Sequence, residues 1–405
     1  MKTTIKSRVL VAGLLIFVVT AIVGITLSVW TGRITRAELQ TGAVKDRLVV
    51  HEWGTFTSIA GKNGIALDWR PLNGPSDLPK FVYTVSDKDR GIRRVPLKGQ
   101  LRGLVRMETP ILYFYSDKEK ELNVQVDFPN GKITEWYPQA QWLDQSIDWR
   151  QVKLTPGAAL HLPVESTESH YYPARETDAV PLQVSGIDGK PAQQEKFLFY
   201  RGVASFDLPL SVRLDGGKVL MQNLDRIEIG HLIIFENRGG QIGYQVIKNF
   251  ATGQKSFERQ SLDRNLDSLL VEVKQILVGS GLYEREADAM IKTWRNSWFE
   301  EGMRVLYILP RRTTDYVLPL TIAPAPDELV RVLVGRTEVI TPEMEKHVQA
   351  QVRQLADPSP AVREAAQKNL RKFGRFSEPI LKAVLENEKD EAVRQRIQQL
   401  IASAG

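Results

Sequence analysis

Imidazole and carboxylate side chains carry most acid–base and metal chemistry near neutral pH, and this chain gathers them in two places. The first is His51-Glu52, at the head of the run Leu48–Ser58, which is rich in β-branched and aromatic residues. The pair invites comparison with the H-E-x-x-H motif of zinc proteases, but the fifth position is Thr55 and the run reads as a strand. Two histidines on one helix face are therefore not available. Neighbouring strand residues point to opposite faces, so His51 and Glu52 are expected as buried structural polar groups, with one of them lining a site as the alternative. Acid–base chemistry on a glycan or peptide would need His51 or Glu52 to converge with Glu108 or Glu135 across a cleft, at the ~5–10 Å spacing of paired carboxyls. Four groups buried in separate hydrogen-bonded sets would leave that chemistry without a seat.

The second gathering is His161, Glu165, Glu168 and His170. Imidazole and carboxylate suit divalent ions. The run Glu165-Ser166-Thr167-Glu168-Ser169 is nevertheless polar and matches no metal spacing, so a solvated loop is expected, with His161 and His170 as weak ligands at most and no cofactor. Trp294 and Trp298 stand at i, i+4 and share a helix face. With Met290 and Phe299 beside them they read as core, the alternative being a flat platform for carbohydrate or peptide. The chain has no Cys, which removes disulfides, thiolate metal sites and a Cys nucleophile together. G-x-S-x-G, G-x-G-x-x-G and Walker A patterns are absent.

Other segments place these residues. Val9–Trp30 is 22 residues without a charge, ~33 Å of helix against a hydrocarbon core of ~30 Å. It lacks a small-x-small exit, which favours an uncleaved signal anchor over a cleaved signal. Lys2, Lys6 and Arg8 precede it and Arg33 and Arg36 follow. The short leading tail favours an N-in orientation with the bulk outside the cytoplasmic membrane, in the periplasm or the extracellular space. Those five residues account for most of the net charge of +6 among 54 basic and 48 acidic side chains. The remainder is nearly neutral, and nucleic acid is excluded as a partner.

The expected organisation is a cytoplasmic tail at 1–8, a transmembrane anchor at 9–30 and a stalk at 31–47. An antiparallel β-sandwich region follows at 48–260, as one or two sandwiches. Strands are expected at Phe81–Val85, Val105–Tyr115, Asn123–Phe128, Ile133–Tyr137, Phe197–Arg201, Leu210–Leu214, His231–Asn237 and Tyr244–Ile247, divided by Asn-Gly and Gly-Gly turns. Residues 261–302 form a helical insert, in which Leu266, Leu269, Leu270, Val273, Ile276 and Leu277 keep helical spacing. Strands return over 303–340, including Tyr316–Ile322. Residues 341–405 are helical, and Ala361-Val362-Arg363 recurs as Ala392-Val393-Arg394 after 31 residues. The fold class is thus α+β and multidomain.

Five motifs carry a resemblance. They are Val50-His51-Glu52-Trp53-Gly54-Thr55-Phe56-Thr57-Ser58, Glu108–Tyr115, Thr134–Pro138, Phe197–Gly202 and Thr293-Trp294-x-x-Ser297-Trp298-Phe299. Across residues 49–345 the chain resembles a family of exported bacterial proteins with an N-terminal hydrophobic segment and no assigned activity. The likeness implies architecture and not chemistry. The C-terminal segment resembles short HEAT-type repeats, in which the arginines, here Arg363 and Arg394, span towards a neighbouring repeat. With room for only about two repeats, the segment is expected to dock on the body or on a partner.

The expected function is a non-catalytic, membrane-tethered binding or scaffolding protein of the bacterial cell envelope. It would hold a protein partner through the C-terminal helices, with Trp294, Trp298, Arg363 and Arg394 as candidate contacts. The alternative is an envelope hydrolase using His51, Glu52, Glu108 and Glu135.

Overall fold

The computed structural model describes residues 46–72, 78–85, 101–165, 169–187, 189–371, 373 and 377–403. The expected tail and anchor lie outside these residues, as do nearly all of the stalk and Glu168. Among the described residues no helix is long and apolar enough to cross a membrane.

The strands and helices in chain order are β1 (Val49–Ala60), β2 (Tyr83–Thr84), β3 (Val105–Tyr115), β4 (Lys120–Asp127), β5 (Gly131–Tyr137), β6 (Gln141–Trp142), β7 (Ser146–Leu154), β8 (Leu182–Val184), β9 (Gln193–Glu195), β10 (Leu198–Ala204), β11 (Leu210–Asp215), β12 (Lys218–Asn223), β13 (Ile229–Arg238), β14 (Gln241–Phe250) and β15 (Gly253–Glu258), then α1 (Leu266–Gly279), α2 (Glu284–Trp298), β16 (Gly302–Ile308), α3 (Arg311–Val317), β17 (Leu320–Ala323), β18 (Glu328–Val339), α4 (Pro342–Gln354), α5 (Pro360–Arg371), α6 (Ser377–Asn387) and α7 (Glu391–Ser403).

Nine strands build the central sheet, in the order β14-β13-β16-β18-β1-β3-β10-β5-β2. A six-stranded sheet (β17-β4-β7-β8-β9, with β6 on β7) and a three-stranded sheet (β11-β12-β15) complete the β structure. Two separate cores show how the layers stack. Val50, Leu112 and Leu333 of the central sheet share one core with Val124, Trp149 and Val219 of the smaller sheets. Trp53, Phe199 and Val332 share the other with Leu269, Val273, Met290 and Trp298 of α1 and α2. The body is therefore a β-sandwich whose outer face carries a pair of helices.

This layering explains the burial patterns. β4 is an outer strand, and its Leu122, Val124 and Val126 are buried while Glu121, Asn123 and Gln125 are exposed, the period of two read from the sequence. β1 is covered on both faces and every residue of it is buried. One ladder departs from the antiparallel expectation: β1 pairs with β18 in parallel, from Val49↔Glu328 to Ala60↔Val339. A parallel pair fits a position inside the sheet with both faces covered. β1 also carries a bulge against β3 between Trp53 and Thr55. There Thr109 takes φ 49°, and a Cβ on Gly54 would stand 2.9 Å from Pro110 Cα. Only glycine lets the two backbones approach so closely.

The expected strand Tyr316–Ile322 is a helix in its first part. α3 runs through Val317, and only Leu320–Ala323 is strand. Pro310 occupies the helix start, and Arg311 bonds Asp315 at i, i+4 with 2.8 Å contacts, local stabilisation that outweighs the β-branched composition. The expected Phe81–Val85 strand is only Tyr83–Thr84.

Residues 342–403 form four helices with a core of their own, containing Val348, Val352, Ile380, Leu381, Val393 and Ile397. Thr341 caps α4, its hydroxyl accepting from Met344 N at 3.3 Å, and Pro342 sits in the first turn.

Candidate functional site

The four candidate acid–base residues are all buried. His51 faces the helix layer, its Nδ1 2.7 Å from Glu286 Oε2 on α2. Glu286 also accepts from Tyr115 Oη at 2.8 Å and from Tyr283 N at 2.7 Å, and the Tyr283 ring lies 4.4 Å from the imidazole. Glu52 faces the other way. Arg331 Nε donates to it at 2.5 Å and Tyr200 Oη also donates; burial, then the Glu52 charge, pushes the Tyr200 hydroxyl well up. Glu108 accepts from Thr57 Oγ1 at 2.8 Å and pairs with Arg106 at 3.2 Å. Glu135 accepts from Thr134 Oγ1. Each group is thus hydrogen-bonded in the interior, and none of them lines either of the two cavities described below.

The other candidates are placed as follows. Trp294 and Trp298 are buried in the core beneath α2. His170 Nδ1 donates to the Thr293 carbonyl at 2.7 Å and the ring stacks on Trp294 at 6.2 Å. The Glu165 carboxylate accepts from Lys80 N at 2.8 Å, and His161 N donates to Gln194 Oε1 at 3.2 Å. Among the described residues no three His, Asp or Glu side chains converge as a metal site. Arg363 and Arg394 occupy the same position in α5 and α7, as the 31-residue period requires. Each guanidinium turns back to backbone carbonyls ahead of its helix: Arg363 to Asp357 and Pro358 at 2.7 and 2.9 Å, Arg394 to Leu385 and Glu388 at 3.0 and 3.1 Å.

What the sequence did not single out is the seam between the body and the C-terminal helices. Glu378 on α6 is buried there. Arg70 Nε donates to it at 2.6 Å, Arg102 Nη1 at 2.8 Å, and Lys382 Nζ pairs with it at 3.1 Å. Burial alone would raise this carboxyl, but the hydrogen bonds from Arg102, Arg70 and Lys382 outweigh it and hold it at about 2. Arg259 bridges Glu236 of β13 at 2.7 Å and Glu343 of α4 at 2.9 Å. That bond brings the Glu343 carboxyl down to about 2. Lys62 reaches Glu345 at 2.9 Å. Beside these pairs lies a cleft of about 670 Å³, within the volume range of ligand sites. Ile59 and Val339 of the body and Met344, Phe373 and Ile380 of the helices supply its apolar wall. Glu338 forms part of the boundary and is shared by Arg304 at 2.7 Å and Arg336 at 2.6 Å.

A second cavity, of about 940 Å³, lies at the other end of β1 from His51, against α3. Its rim holds Ile65, Leu224 and Tyr316, which are 66%, 57% and 73% exposed. Exposed apolar side chains that gather in one place mark interaction surfaces more often than scattered ones do.

No protein-family model matches the chain, and no curated protein does. Solved structures similar to it include the yeast delta-COP-I mu-homology domain in complex with a Dsl1 WxWxV peptide, at 8% identity and TM-score 0.25, covering 74% of this chain and 98% of that one. The Danio rerio Fcho1 mu homology domain with bound Eps15 peptide is similar at 5% identity and TM-score 0.28, covering 73% and 97%. Likeness at that level carries no inference about this chain.

Proposed function

We propose that this chain is a membrane-tethered binding or scaffolding protein of the bacterial cell envelope, holding a protein partner outside the cytoplasm through its four C-terminal helices. The carrying observation is that these helices have their own core, separate from both cores of the body. A unit that folds its own core at the end of the chain, joined to the body across a polar seam, is suited to presenting a surface to another protein. The repeated placement of Arg363 and Arg394 supports reading the unit as a pair of HEAT-like hairpins. The uncharged run Val9–Trp30 supports the tether, and the near-neutral remainder of the chain argues for a protein and against nucleic acid.

The test is crosslinking capture from the native envelope, comparing the full chain with one ended at Ile340. Loss of a specific crosslinked protein on removing the helices, with the shortened chain still folded by circular dichroism, supports the reading. Retention of every partner by the shortened chain overturns it. An alkaline phosphatase fused after Gly405 should be active, and an inactive one would refute the placement outside the cytoplasm.

A further inference from the structure

We infer that the C-terminal helices are latched onto the sheet body chiefly by charge, around Glu378, and that neutralising or screening this latch releases them as a folded unit. Three observations carry this. First, no residue of the C-terminal core belongs to either core of the body, so the two parts share no continuous apolar core. Second, ion pairs and side chain-to-carbonyl bonds cross the seam. Arg70 and Arg102 of the body hold Glu378, Arg259 holds Glu343, Lys62 holds Glu345, Arg70 Nη2 donates to the Ile401 carbonyl at 3.1 Å, and Lys382 Nζ donates to the Asp68 carbonyl at 3.4 Å. Third, a cleft of about 670 Å³ lies between Ile59 and Val339 of the body and Met344, Phe373 and Ile380 of the helices.

Glu378 is the centre of the latch because it alone among these carboxylates is buried and takes three cations. The groups facing it are Arg70 and Arg102 from the body and Lys382 from its own helix. Asp68 stands behind Arg102 at 2.6 Å and holds that guanidinium in place. Protonating or replacing Glu378 leaves these cations together with no counter-charge from the helices, and breaking one side of a buried pair costs far more than the pair itself contributes. Salt acts on the more exposed Arg102, Lys62 and Glu343 first. Release enlarges the cleft between the sheet body and α4 and α6. The inference rests on the proposed function only for the identity of the module as the partner-binding part; the docking itself is tested without a partner.

The chain has no Cys, so dyes can be placed site-specifically at Asp215→Cys on the body and Glu391→Cys on α7, both exposed side chains. Energy transfer is read in the detergent-solubilised full chain. The expected result is a fall in transfer as NaCl rises from about 0.1 M to about 1 M, and an open fraction raised about tenfold or more by Glu378→Gln at low salt. Arg102→Ala gives a smaller change in the same direction, and it stands as the milder variant if Glu378→Gln folds poorly. Helical ellipticity stays constant throughout. Transfer that neither salt nor either substitution alters overturns the inference. Transfer lost only together with ellipticity also overturns it, since the helices would then unfold and not swing.

Discussion

The Arg70 guanidinium meets the Glu378 carboxylate at 2.6 Å across the seam between the sheet body and the C-terminal helices. Both side chains are almost wholly buried, 308 positions apart in sequence. A pair of this kind ties two separately cored units together without merging their cores.

Its pH dependence follows from the depressed carboxyl. Glu378 sits at about 2 when folded, below its ordinary 4.5. A lowered carboxylate contributes its stability above the unfolded value and loses it as pH falls through the folded one. The docking contribution is therefore whole at neutral pH and declines from about pH 4.5 to about pH 2, amounting to roughly 3 kcal/mol over that window. Energy transfer between dyes on the body and on α7 should fall in this range in the otherwise native chain. In Glu378→Gln it should already be low at neutral pH. Equal transfer in the two proteins at pH 7 would refute the assignment.

His51→Ala should act on stability. It empties a buried position and leaves Glu286 with two of its three donors, at a cost of about 2–4 kcal/mol. A lowered urea midpoint with an unchanged unfolding slope is the expected reading. A fully stable His51→Ala protein would show that the imidazole is not structural, and would reopen the search for a site around it.

Much of this was legible in the sequence, and the limits have physical causes. Period-two burial announced β4, helical spacing announced α1 and α2, and the 31-residue recurrence announced equivalent places for Arg363 and Arg394. The opposed directions of His51 and Glu52 followed from strand geometry alone. Their partners did not follow, because Glu286 and Arg331 lie 235 and 279 residues away, and no local pattern encodes such pairings. The parallel β1–β18 ladder was hidden for the same reason. α3 was misread because Thr, Tyr and Val favour strands, while its helix depends on Pro310 and the Arg311–Asp315 pair. The seam was missed because Arg70, Arg102 and Glu378 look like ordinary surface charges until the fold brings them together.

Gly335 offers a packing test. A Cβ there would lie 2.2 Å from Cζ of the Tyr307 ring on the neighbouring strand β16. Gly335→Ala should cost about 1–3 kcal/mol through overpacking. Tyr307→Leu should return part of that loss in the double variant, because the clash and the ring are the same feature. Strict additivity of the two substitutions would show that the ring is not what the glycine accommodates.

The side chain that closes the end of α2 gives the most discriminating substitution. Arg304 is fully buried on β16, yet its nitrogens all find acceptors. Nε donates to Glu338 at 2.7 Å, Nη1 to the carbonyls of Trp298 and Glu300 at 2.9 and 2.7 Å, and Nη2 to that of Glu301 at 3.0 Å. One planar fork thus satisfies the carbonyls that a helix end leaves open and neutralises a carboxylate at the edge of the cleft. Burial pulls the Arg304 guanidinium down, while the charges of Arg304 and Arg336 outweigh the burial of Glu338 and keep that carboxyl below its ordinary range. Lysine keeps the charge but has a single nitrogen, which cannot reach four acceptors in different directions. Arg304→Lys should therefore be nearly as damaging as Arg304→Met, each costing about 3–5 kcal/mol in urea unfolding. If charge alone were what mattered, the lysine variant would stay within about 0.5 kcal/mol of the native chain, and the capping role of Arg304 would have to be abandoned.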